Sequence, residues 1–185
     1  MIRKLLVLVT GIFVLAACGA QTPVAVSSST AAAERSYSVA SFQFAAPDDL
    51  SVSEAEGYYP LADVVWRGDP KGDRIAQIED MFTQAVARNE PVLAGDTPVA
   101  VRVDLVRFHG VTDRTRYSVG GNYNIIFNLT VVDARSGTLL EPTRRVVGNL
   151  KAPGGSQAVA LEQGGNTQKV RVTSYLTALL RAELS

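Results

Sequence analysis

Val99-Ala100-Val101-Arg102-Val103-Asp104-Leu105 and Tyr123-Asn124-Ile125-Ile126-Phe127-Asn128-Leu129-Thr130-Val131 decide the fold of this chain. In both, a large apolar side chain returns at every second position. Successive side chains of an extended chain point to opposite faces, so Val99, Val101, Val103 and Leu105 share one face, with Arg102 and Asp104 on the other. Tyr123, Ile125, Phe127, Leu129 and Val131 repeat the pattern against Asn124, Asn128 and Thr130. Strands that are apolar on one side and polar on the other want one face covered and one wet, the habit of antiparallel sheets.

Working outward, Asp133-Ala134-Arg135-Ser136-Gly137 supplies a hairpin turn into Thr138–Gly148, where Val146 and Val147 resume a strand. Pro142 lacks an N–H to donate, which points to an edge position or a bulge. Upstream, Tyr37–Phe44 alternates as a strand and Pro47-Asp48-Asp49 ends it. Ser53-Glu54-Ala55-Glu56 has capping-box spacing and predicts one helical turn stopped by Gly57, before a further strand around Asp63–Trp66. Ile75, Ile78, Phe82, Ala85 and Val86 recur at spacings of three and four. They predict an amphipathic helix from about 74 to 88, capped by Asp73 and closed by Asn89 and Pro91. A second helix is expected from about Thr167, with Val172, Leu176, Leu179 and Leu180 as its buried stripe. Pro153-Gly154-Gly155 and Gly164-Gly165 bracket a segment that carries no assignment. The expected fold class is α+β: a mostly antiparallel sheet with two amphipathic helices packed on one face, a two-layer sandwich.

The N-terminus has a different character. Arg3 and Lys4 precede an apolar run from Leu5 to Ala17, and small residues surround Cys18, the only cysteine. This is the secretory layout; spanning hydrocarbon would take about 20 apolar residues. Leu15-Ala16-Ala17-Cys18-Gly19 resembles the lipobox of bacterial lipoproteins. The resemblance implies that the Cys18 thiol receives a diacylglycerol, that the chain is cut just before it, and that the new terminus is acylated. Two or more acyl chains hold a protein stably at a bilayer. Gly19 and Ala20 stand where an aspartate would signal inner-membrane retention, so the family rule directs the protein to the outer membrane, on its periplasmic face. Residues 19–35 are small and polar and read as a tether with a reach of about 23 Å if flexible. The expected organisation is a signal peptide over 1–17, a tether over 18–35 and a single α+β domain over 36–185.

Loss of residues 1–17 removes Arg3 and Lys4, leaving 16 basic against 18 acidic residues, a net charge of −2. A balanced surface argues against nucleic-acid binding and against a polybasic membrane patch. With Cys18 acylated no disulfide can form, and stability must come from the core, for which this length suffices.

No catalytic constellation is evident, and no enzymatic activity, metal site or cofactor is expected. His109, the only histidine, reads as a surface residue at a strand end; Asp104, His109 and a serine lack the spacing of a nucleophile elbow. Asp63, Asp69 and Asp73 lack the spacing of a calcium loop; Asp73 reads as a helix cap and Asp69 as a turn former. Arg67-Gly68-Asp69 is short enough to recur by chance, and Asn128-Leu129-Thr130, a glycosylation triplet inside an expected strand, reads as sheet residues. Gly120-Gly121-Asn122 and Gly164-Gly165-Asn166 lack the context of a phosphate cradle and read as the starts of a strand and a helix. The aromatic group Tyr58, Tyr59 and Trp66 is the one candidate binding surface, set against the alternative that it closes one end of the core.

Leu50–Glu54, Tyr59–Arg74 and Asp133–Pro142 resemble an uncharacterised family of alphaproteobacterial lipoproteins, a likeness over essentially the whole mature body. That family has no assigned activity and transfers no catalytic residue; it implies a Gram-negative outer-membrane setting. The order of elements is also similar to auxiliary lipoproteins of envelope transport and secretion systems. Together these imply a non-enzymatic module, held to the membrane through lipidated Cys18, that meets an envelope protein partner. The alternative is a small-ligand or lipid binder using the Tyr58–Trp66 region.

Overall fold

A computed structural model describes residues 35–185. The expected signal peptide, Cys18 and the tether through residue 34 lie outside the described residues. The body is a sheet with helices on one face. Strands β1 (Tyr37–Ala45), β2 (Val64–Val65), β3 (Thr97–His109), β4 (Gly121–Asp133) and β5 (Leu139–Ala152) and helices α1 (Arg74–Ala87), α2 (Asp113–Arg116), α3 (Gly155–Gln163) and α4 (Gln168–Leu184) follow in the order β1-β2-α1-β3-α2-β4-β5-α3-α4.

The lateral order is β1-β3-β4-β5. β3, β4 and β5 form the long antiparallel meander that the alternation predicts. β1 and the two-residue β2 pair parallel to β3, along its first and last residues respectively, so they lie end to end on the same side. Val99, Val101, Val103, Leu105, Tyr123, Ile125, Phe127, Leu129 and Val131 are all at most 1% exposed. A bulge at Leu105–Arg107 shifts the β3 register by one residue, which lets Phe108 join this inner face and swings His109 to the outer one. Pro142 lies in edge strand β5, where the register opposite Leu129–Val131 is also broken, as a proline without an N–H requires.

Helices α1 and α4 cover the inner face. Asp73 caps α1 by accepting from the Ala76 N–H at 3.0 Å. Ile78, Met81, Phe82, Ala85 and Val86 face inward, and Phe82 meets Phe127 edge-on at 5.2 Å between centroids. Thr167 caps α4, which buries Val172, Leu176, Leu180 and Leu184, roughly 1.5–3 kcal/mol for each side chain. Leu179, expected in that stripe, packs against its margin.

Three local expectations change. Ser53–Glu56 is not helical: Glu54 and Glu56 serve instead as partners of Arg74 and Arg67. The unassigned segment 155–163 is helix α3, which sequence periodicity could not show because Ala158 is its only buried residue. His109 is not on the surface but 3% exposed, since the 58–61 segment folds over it.

Candidate functional site

Register builds the site. His109, Asn124 and Asn149 pair in one row across β3, β4 and β5, on the face opposite the helices and at the end of the sheet where β3 finishes. Asn is disfavoured in strands because it cannot pack a pleated apolar surface, so asparagines here mark a face with no such duty. Asn124 donates from Nδ2 to Asn149 Oδ1 at 3.0 Å.

The segment Tyr58-Tyr59-Pro60 roofs this row, and hydrogen bonds fix its backbone. Thr112, the cap of α2, donates to the Gly57 carbonyl at 2.8 Å, and Thr115 donates to the Tyr58 carbonyl at 2.7 Å. His109 Nε2 lies 2.9 Å from the Pro60 carbonyl oxygen. A carbonyl can only accept, so Nε2 is the donor in this bond. The Tyr59 ring stacks on His109 at 4.4 Å and its hydroxyl accepts from Arg107 at 3.1 Å. Arg114 stands 5.1 Å from the Tyr58 ring centroid. Below the roof, Glu56 accepts from Arg67 at 2.6 Å and from the Asp113 N–H at 3.0 Å. Partial burial works against the Glu56 charge, but the Arg67 guanidinium and these N–H donors outweigh it and hold its carboxyl below the usual range.

Between roof and sheet lies an open cleft of about 450 Å³, walled also by Val119, Gly120 and Gly121. Gly120 adopts φ +72°, and a side chain there would collide with the Ala152 carbonyl, so the loop before β4 can sit close against the turn after β5 only with glycine at this point. The pole also carries a group of exposed apolar side chains. Tyr58, Tyr59, Leu61 and Val119 are 57, 65, 94 and 76% exposed, with Tyr117 close by in sequence at 52%.

The candidate aromatic group is therefore divided. Tyr58 and Tyr59 line the cleft, whereas Trp66 is wholly buried, edge-on to Phe108 at 5.6 Å and bonded through its indole N–H to Asp69 at 2.8 Å. Trp66 is a core residue because the inner face of the sheet needs a large filler where β2 meets the bulged end of β3. The other members of the site, His109, Asn124 and Asn149, could have been suspected from asparagines at alternating strand positions, but their meeting depends on register.

The remaining motifs have structural partners. Arg67 is 8% exposed and clamped to Glu56, so Arg67-Gly68-Asp69 is not presented to solvent. Asp63 accepts from the Ser51 hydroxyl and backbone, which hold its carboxyl below the usual range, and Asp69 accepts from Lys169. Asn128-Leu129-Thr130 lies within β4. Among the described residues no group of three or more His, Cys, Asp or Glu side chains is arranged to hold a metal ion.

The chain enters the body at the other pole. Tyr37 pairs with Thr97 at the start of β3, and Arg35, expected as the last tether residue, is bound to Glu141 at 2.9 Å. The thirteen residues of β3 from Thr97 to His109 place the cleft about 40 Å from that entry point.

No curated protein matches the chain. Among solved structures it is similar to protein XCC0632 from Xanthomonas campestris, of family DUF330, at a TM-score of 0.40 and 11% identity over 77% of this chain and 86% of that one. It is also similar to an uncharacterized protein at a TM-score of 0.38 and 15% identity, over 79% and 93% of the two chains. A third, described as a "putative lipoprotein" from Caulobacter crescentus CB15, has a TM-score of 0.28 and 14% identity over 62% and 82%. A family model described as a family of unknown function, DUF6778, matches residues 37–185, and the chain belongs to that family.

Proposed function

We propose that this protein is a non-enzymatic lipoprotein of a Gram-negative envelope, anchored through acylated Cys18 in the outer membrane and facing the periplasm, whose body docks on another envelope protein. The anchor rests on Leu15-Ala16-Ala17-Cys18-Gly19 and on Gly19 and Ala20 where a retention signal would stand. No helix among the described residues is long and apolar enough to cross a membrane. The docking role rests on one observation: Tyr58, Tyr59, Leu61 and Val119 stand exposed at one pole, flanked by Arg107 and Arg114. Aromatic residues and arginine are the residues enriched at the centres of protein interfaces. A non-enzymatic role is supported by the solitary histidine, whose Nε2 is committed to the Pro60 carbonyl.

Photocrosslinking in cells tests the docking. A crosslinker at Leu61 or Val119 is expected to give a discrete protein adduct, and one at Leu139, exposed on the hairpin at the other pole, is expected to give none. Equal adducts from all three positions, or none, would reject the docking pole. For the anchor, Cys18→Ala should abolish incorporation of labelled palmitate.

A second reading is favoured by the cleft itself: its volume falls within the range of small-ligand sites, about 300–1,000 Å³, so the pole can also hold a small ligand.

A further inference from the structure

The lining of the cleft restricts what it can hold. None of the side chains that wall it is Asp, Glu, Lys or Arg. Of the cations near it, Arg107 holds the Tyr59 hydroxyl and Arg114 packs over the Tyr58 ring, while Lys151, paired with Asn122 across β4 and β5, stands exposed beside the cleft and does not line it. A charged ligand would surrender its hydration for no counter-charge, which is strongly unfavourable. A purely apolar ligand fails for the opposite reason, because it would strip water from Asn122, Asn124 and Asn149 and return no hydrogen bonds.

What remains is an uncharged molecule with a flat C–H face and a rim of hydroxyls. The electron-rich face of a tyrosine ring attracts polarised C–H groups, and Tyr58 and Tyr59 are both more than half exposed. Asn124 spends one N–H on Asn149 Oδ1. That bond leaves the Asn124 carbonyl as an acceptor and the Asn149 amide as a donor, on neighbouring strands that lie about 4.8 Å apart. A pair of sugar hydroxyls, each both donor and acceptor, complements that arrangement.

We infer that the cleft binds an uncharged saccharide, one or two pyranose rings of a glycan, stacked on Tyr58 and Tyr59 and hydrogen-bonded by Asn122, Asn124 and Asn149. The inference rests on the second reading above, that the cleft takes a ligand, and not on the lipid anchor. The opposite placement of cleft and chain entry turns the sugar site away from the attachment point of the body.

Calorimetric titration of the full-length protein, held in a zwitterionic detergent that carries no sugar, tests this with chitotriose and maltotriose as probes. Saturable binding of at least one is expected; a preference for chitotriose would assign an N-acetylated glycan and a preference for maltotriose a plain hexose glycan. Asn149 and Tyr59 are exposed, so Asn149→Ala and Tyr59→Ala should fold normally while weakening binding about tenfold each, as expected when a polar or stacking partner is removed. Asn149→Asp should weaken it further by adding a charge. Binding that survives these substitutions unchanged would overturn the assignment. Trialanine and decanoate serve as counter-probes: binding of either in place of the sugars would overturn the saccharide class and keep the ligand site, whereas no binding of any of the four would remove both.

Discussion

Arg74 grips both carboxylate oxygens of Glu54 across twenty residues of sequence, with Nε 2.7 Å from Oε1 and Nη2 3.0 Å from Oε2. The Arg74 side chain is only 3% exposed and its Nη1 is occupied by Asp69 and Pro70 carbonyls and by Gln77 Oε1. The bond to Arg74 is the chief reason the Glu54 carboxyl titrates below its usual range. Glu54→Gln leaves a buried guanidinium without its counter-charge. The expected loss is about 1.5–3 kcal/mol, less than for a fully buried pair because Glu54 is itself more than a third exposed. Urea unfolding checks it, and an unchanged midpoint would show the pair to be idle.

This pair also marks the limit of what the sequence discloses. The inner faces of β3 and β4 and the stripes of α1 and α4 are legible because periods of two and 3.6 are local properties of a chain. The partner of Glu54 is not local. Ser53–Glu56 has the spacing of a helix start, and only the approach of Arg67 and Arg74 shows that its acids serve other elements. Parallel pairing of β1 to β3 is invisible for the same reason: register across a crossover depends on what packs between the strands. At the candidate site Tyr58 and Tyr59 were legible as aromatics, but Trp66 could be separated from them only by knowing which side of β2 faces the helices.

Gly68 lies under the indole of Trp66. A Cβ built there would fall 2.2 Å from Cζ2 of the ring, far inside contact distance. The ring cannot retreat, since it is enclosed by Phe108 and Tyr123 and tied to Asp69. Gly68→Ala should therefore destabilise by about 1–3 kcal/mol, the usual range for overpacking. Gly57→Ala is the control: nothing lies within 4 Å of its Cβ position, and its unfolding midpoint should stay near that of the native chain.

Thr173 offers a change in the opposite direction. It is 1% exposed on α4, and its hydroxyl oxygen has no hydrogen-bond partner among the described residues. Valine has nearly the same shape and needs no partner. Thr173→Val should thus raise stability by about 1 kcal/mol, the desolvation penalty no longer incurred. A loss of stability on the same substitution would mean that the hydroxyl is satisfied in solution.

Glu141 ties the point of chain entry to both β5 and α4. Its carboxylate accepts from the Tyr37 hydroxyl at 2.7 Å, from Arg35 at 2.9 and 3.1 Å and from Arg144 at 2.7 Å, and Arg144 reaches on to Glu183. Partial burial works against the charge, but the Tyr37 hydroxyl and the two guanidinium groups outweigh it and hold the carboxyl below its ordinary value of 4.5. A carboxylate with a depressed folded pKa contributes stability that is fully present above the unfolded value and lost as pH falls through the folded one. Unfolding midpoints measured from neutral pH downward should hold level and then decline below about 4.5. Glu54, Glu56 and Asp63 are also depressed and add to that decline, so the informative quantity is the difference between two chains. Glu141→Gln should be less stable at neutral pH and should lose less on acidification, so that the two curves converge toward the acid limit. Curves that stay parallel would show that the charge on Glu141 is not what fastens Arg35 and Tyr37 to the hairpin.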